Sequence, residues 1–176
     1  NLEEKIEQNR NSIFFNLDFN KQNLEQLMVE IMNYKEKICS PFFCWYKREK
    51  DIYPQLISLL LNDIRINPKR RGIFYASIYE KERKIFIQEK RSFIDVANKI
   101  YFFWDDKNNF IDIPGVVNVV MEKKGYQTIK FLFFLNEHYA YGIIEIGDDV
   151  FETSDQLLVE AMINKIQSEY YLQWQL

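Results

Sequence analysis

Apolar residues recur at spacings of three and four through the first part of the chain and at shorter, strand-like spacings through the second. Leu24, Leu27, Met28, Ile31, Tyr34 and Ile38 fall on one face at about 3.6 residues per turn, which predicts an amphipathic helix. Asn20 is a suitable N-cap, and Ser40-Pro41 ends the pattern because the residue before proline avoids helical dihedrals. Leu2, Ile6 and Ile13 give a weaker stripe ahead of it. A second helix is predicted from Asp51, with Pro54 tolerated in its first turn and Ile52, Leu56, Leu59, Leu60 and Ile64 as its buried face. Asn67-Pro68 stops it.

Beyond Gly72 the pattern turns to strands. Residues 72–79 and 84–89 alternate imperfectly around Glu80-Lys81-Glu82-Arg83, a hairpin signal. The continuous run 100–104 is expected to be a buried strand. Residues 127–135 and 139–146 are expected to pair through Asn136-Glu137-His138, and Gly147-Asp148-Asp149 turns the chain into 150–152. Residues 114–124 are expected to be helical, with Pro114 at the first position and Gly125 at the C-cap, although four valines also suit a strand. Thr153 and Gln156 fit a capping box opening a last helix striped by Leu158, Ala161, Met162 and Ile166. The tail from Tyr170 to Leu176 is aromatic and uncharged.

No repeat and no Pro-, Gly- or Ser-rich linker divides the chain, so residues 1–176 are expected to form a single α+β domain. Its helical N-terminal part should pack on a mainly antiparallel sheet closed by a C-terminal helix. Leu27, Leu60, Phe131 and Ile144 are predicted core residues.

Composition agrees with a soluble globular chain: 47% hydrophobic and 28% charged. An aromatic share of 16% favours half-buried pleated surfaces. No apolar run approaches the roughly 18 residues that cross a bilayer, and no membrane association is expected. No signal-peptide pattern is present, and Asn1 in place of Met is expected of a trimmed product. Cys39 and Cys44 are too few for a disulfide framework, and a zinc site would need two more ligands. Two reduced thiols and a cytoplasmic location are expected.

Charge changes the picture more than composition. From Phe131 to Leu176 there are eight carboxylates and one base, whereas Lys69 to Arg91 carries eight bases and three acids, within a net charge of −3. Such asymmetry bears on which partners a surface attracts. Asp148, Asp149, Glu152 and Asp155 bracket a turn and a helix start, with Tyr139 and Tyr141 beside them, and this set is the expected partner-binding surface. An acidic face can take the place of phosphate in a basic site, so the expected partner is a basic protein, such as a nuclease-type toxin domain.

Chemistry-bearing motifs are sparse. His138 is the single histidine and falls in a predicted turn, where it is expected to be exposed and structural. No Gly-x-Ser-x-Gly elbow and no phosphate-cradling glycine run occurs, and no cofactor or metal is expected. Asp112, followed ten residues later by Glu122 and then by Lys124, resembles a metal-dependent nuclease pattern. That pattern needs Glu122 and Lys124 on one strand face, whereas on the expected helix they diverge by about 200°. The basic hairpin 69–91 interleaves charge with Phe74, Tyr75, Tyr79 and Phe86, as a single-stranded nucleic-acid surface would. The leading expectation is a non-catalytic binding protein of immunity or inhibitor type; a nuclease using Asp112, Glu122 and Lys124, or a nucleic-acid-binding hairpin, are the alternatives.

Overall fold

The structure is a computed structural model that describes residues 17–34, 42–47, 51–66, 72–89, 99–121 and 129–172. Helix α1 (Leu24–Met32) starts at Asn23, whose side chain accepts from the Gln26 backbone while Gln26 returns a bond to the Asn23 N–H. The cap therefore lies three residues beyond the expected Asn20. The opening stripe of Leu2, Ile6 and Ile13, and Ile38, lie outside the described residues. Strand β1 (Phe43–Lys47) follows, and then helix α2 (Ile52–Ile66). Strand β2 (Ile73–Ile78) leads into helix α3 (Glu80–Gln88) and strand β3 (Lys99–Trp104). Strands β4 (Val116–Val120), β5 (Lys130–Leu135), β6 (Ala140–Ile146) and β7 (Asp149–Thr153) precede helix α4 (Gln156–Glu169).

Among the described residues, seven strands join one sheet in the order β1-β7-β6-β5-β2-β3-β4. The pairs β2–β3 and β3–β4 are parallel and the other four are antiparallel, which makes this an α+β fold with a mixed, mainly antiparallel sheet. Helices α1 and α4 cover one face over Tyr75, Phe103, Phe131, Ile144 and Phe151. Helices α2 and α3 cover the other over Phe74, Phe102, Leu132, Phe134 and Ile143. The central strands are thus buried on both faces, which is why residues 100–104 and 131–135 read as unbroken apolar runs. Leu27, Leu60, Phe131 and Ile144 are all buried, as expected.

Four elements depart from the sequence pattern. Residues 116–120 form a strand, not a helix: Gly115 turns at φ +84°, and the valines pair with β3 from Ile100↔Val116 to Trp104↔Val120. Their β-branched side chains are stiff in a helix and pack well on a pleated sheet. Residues 84–89 belong to α3 and its cap, not to a hairpin. The stretch expected to turn the chain instead opens that helix, with Glu80 and Glu82 complementing the dipole of its first turn. In α2 the buried residues are Tyr53, Ile57, Leu60, Leu61 and Ile64, so the phase is rotated from the expected one and Leu59 is 65% exposed. Finally, α4 is capped by Asp155, whose carboxylate accepts from the Leu158 N–H, and the Thr153 hydroxyl accepts from the Asp155 N–H.

One polar cluster sits inside the α2–α3 side of the sheet. Lys130 on β5 reaches Glu82 of α3 at 2.8 Å and Glu145, its cross-strand partner on β6, at 3.7 Å. Its ammonium also lies over the rings of Tyr53 and Tyr79, at 5.9 and 5.7 Å. Glu82 is fully buried, and its second oxygen takes no hydrogen bond among the described residues. Burial first, and the Glu82 carboxylate second, hold the Tyr53 phenol well above its ordinary pKa.

Candidate functional site

Edge strand β1 brings a distant part of the chain against the acidic region. It pairs with β7 in the register Cys44↔Glu152 and Tyr46↔Val150, and β7 pairs with β6 in the register Ile143↔Glu152. Side chains alternate across a pleat, so Cys44, Tyr46, Glu152, Tyr141 and Ile143 share one face. Tyr46 and Tyr141 occupy diagonal positions on either side of Glu152, within reach of aromatic side chains. Both phenols donate to it: Tyr141 Oη to Glu152 Oε2 at 2.8 Å, and Tyr46 Oη to Glu152 Oε1 at 3.3 Å.

Of these residues, Cys44, Tyr141 and Glu152 border a cleft of about 190 Å³. Phe42 and Cys44 line it from the β1 side, Tyr139 and Tyr141 from β6 and the residue before it, and Glu152, Thr153 and Ser154 from the end of β7. Among the described residues its lining holds one carboxylate, three aromatic rings and no Lys or Arg. Phe42 stands at the lip, 40% exposed, and Cys44 is a partly exposed free thiol. Burial, and then the charge of Glu152, raise the Tyr141 phenol far above its ordinary pKa, and the same causes push Tyr46 up to about 12. Both phenols therefore remain hydrogen-bond donors at neutral pH and fix the carboxylate from two sides.

Of the six expected contact residues, the cleft unites three: Glu152, Tyr139 and Tyr141. Tyr141 is buried and holds Glu152 with its hydroxyl, while Tyr139 is half-buried. Asp148 is exposed in the β6–β7 turn, and Asp149 forms a 3.3 Å ion pair with Lys47 at the far end of β7. About three residues of strand, near 3.3 Å each, separate that tip from Glu152. Asp155 is only 4% exposed and is spent on the α4 cap. The four carboxylates thus do not form one patch. Phe42, Cys44 and Tyr46 escaped the sequence reading because the edge strand that carries them was not recognised, although the aromatic run after Pro41 was its available signal.

The other candidates separate similarly. His138 is exposed in the turn, where its N–H donates to Asn136 Oδ1 at 2.9 Å. Asp112 is exposed, and Glu122 and Lys124 lie outside the described residues. In segment 69–91, Phe74, Tyr75 and Phe86 are buried and therefore not free to stack on bases. Tyr79 is half-buried, with its hydroxyl donating to the Ile129 carbonyl. Among the described residues no group of three or more His, Cys, Asp or Glu is placed to hold a metal ion, and no helix is long and apolar enough to cross a membrane.

No protein-family model and no curated protein matches the chain. Among solved structures it is similar to TrmBL2, described as an archaeal chromatin protein with a novel mode of DNA binding, at 10% identity and TM-score 0.51, over 87% of this chain and 58% of that one. It is also matched to the polyphosphate kinase of Porphyromonas gingivalis at 10% identity and TM-score 0.44, over 80% of this chain and 26% of that one. The chain thus spans less than two thirds of either protein. The likeness to TrmBL2 is one of fold.

Proposed function

We propose that this chain is a non-catalytic protein-binding protein of inhibitor or immunity type, whose β6–β7 end docks on a basic partner such as a nuclease-type toxin domain. The observation that carries this reading is the clamped carboxylate: Glu152 lines an open cleft and is oriented by Tyr141 and Tyr46. A charge fixed before the encounter loses little freedom on binding, which favours affinity and specificity for a cationic surface. Exposed Asp148 adds a second negative charge that can steer a basic partner from a distance.

The test begins with capture of partners from lysate at low salt and continues with association kinetics. Glu152→Gln should weaken the captured complex, chiefly through faster dissociation, and Asp148→Asn should slow association and flatten its salt dependence. A captured nuclease domain should lose cleavage activity when bound. Unchanged kinetics in the Glu152→Gln/Asp148→Asn variant would sink this reading.

Helix α3 supports a second reading. Lys81, Arg83 and Lys84 are solvent-exposed on it, and TrmBL2, which shares the fold, is described as binding DNA. With the neighbouring aromatics buried, such binding would rest on phosphate contacts and fall steeply with salt. Salt-dependent DNA binding lost on replacing those three residues would favour it over the protein-docking reading.

A further inference from the structure

Resting on the protein-docking reading above, we infer that the Glu152 cleft is a receptor for a single arginine side chain of the partner. Three features of the cleft converge on a guanidinium. First, each carboxylate oxygen accepts one phenol, and each has a second lone pair. Two parallel acceptors suit the planar fork of arginine better than the point charge of lysine. Second, the half-buried ring of Tyr139 and the exposed ring of Phe42 border the same space, and arginine stacks on aromatic faces. Third, the size fits: a cavity of about 150 Å³ accepts benzene, and this cleft of about 190 Å³ suits a guanidinium with its last methylenes.

Among the described residues the lining has one carboxylate and no base, which favours a cationic occupant. Clamping by two phenols also gives selectivity. A neutral isostere would have to desolvate Glu152 without supplying a charge in return, which is costly.

The test uses the intact chain and a capped arginine, N-acetyl-arginine methylamide, with the capped citrulline of the same shape as its neutral control. Binding is followed by amide chemical shifts in NMR. The arginine probe should give saturable millimolar shifts centred on Tyr139, Glu152 and Ser154, and should slow alkylation of Cys44. The citrulline probe should bind at least tenfold more weakly. Glu152→Gln should remove the preference for arginine, and Phe42→Ala, at the exposed lip, should weaken the probe several-fold while leaving the spectrum folded. Equal binding of both probes, or shifts that map elsewhere, would overturn the inference. If the captured partner still depends on Glu152 while the arginine probe ignores the cleft, the arginine assignment fails and the docking reading stands. If the probe binds but partner affinity is indifferent to Glu152, the docking reading fails instead.

Discussion

Replacing Lys130 with methionine removes the cation that two buried carboxylates, Glu82 and Glu145, share. At an effective dielectric constant of about 20, a unit pair attracts by roughly 6 kcal/mol at the shorter separation and roughly 4–5 kcal/mol at the longer; the separations are 2.8 Å to Glu82 and 3.7 Å to Glu145. Desolvation of the ions offsets most of this in the intact fold. Removing one partner leaves the desolvation uncompensated, which typically costs about 3–5 kcal/mol. The Lys130 side chain is 22% exposed, so solvent screens part of the loss and the lower end applies. A loss of about 3 kcal/mol lowers Tm by roughly 6–12 °C in a chain of this length. The assay is thermal unfolding at neutral pH, with Lys47→Met as control. The Lys47–Asp149 pair is 3.3 Å long but exposed on the lysine side, and such pairs contribute about 0–1 kcal/mol. Adding Glu82→Gln to Lys130→Met should recover part of the loss, because the amide removes an unpaired charge. Equal, small Tm shifts for Lys130→Met and Lys47→Met would refute the reasoning, as would strict additivity in the double variant.

Asp155→Ala should lower stability by about 1 kcal/mol, the usual cost of a lost N-cap, while leaving partner association unchanged. Slower association in that variant would return Asp155 to the contact surface. At high pH, Tyr46, Tyr75 and Tyr79 are held up to about 12, and Tyr53 and Tyr141 well above their ordinary value, in each case through burial first. Unfolded tyrosine ionises near pH 10. The raised values therefore contribute stability in full below about pH 10 and lose it as pH rises through about 12. Tyrosinate absorbance from these five should appear together with loss of circular dichroism; complete ionisation near pH 10 in a folded chain would contradict this.

Residues whose burial is decided locally were legible in the sequence. The runs 100–104 and 131–135 read as strands because both faces of a central strand are covered, and the stripe of α4 read as a helix because its opposite face is wet. Leu27, Leu60, Phe131 and Ile144 follow from the same logic. Ambiguity arose where local pattern permits two outcomes. Val116–Val120 can line a helix or a strand, and only the free edge of β3 selects the strand. Ile57 to Leu61 is apolar at four of five positions, so the face of α2 that is buried depends on which side meets the sheet.

Periodicity and charge along the chain suffice for an α+β fold with a hydrophobic core and for negative charge gathered in the last strands and helix. What that charge can do depends on how the strands pair. Register put Cys44 opposite Glu152 and brought the Tyr46 hydroxyl to a carboxylate 106 positions away. It assigned Asp155 to a helix cap, Asp149 to Lys47 and Glu145 to Lys130, leaving Glu152 to line the cleft. The physical reason is that burial and periodicity are properties of a residue and its near neighbours in the chain. A hydrogen bond or an ion pair is a property of two side chains, and strand pairing chooses the second one.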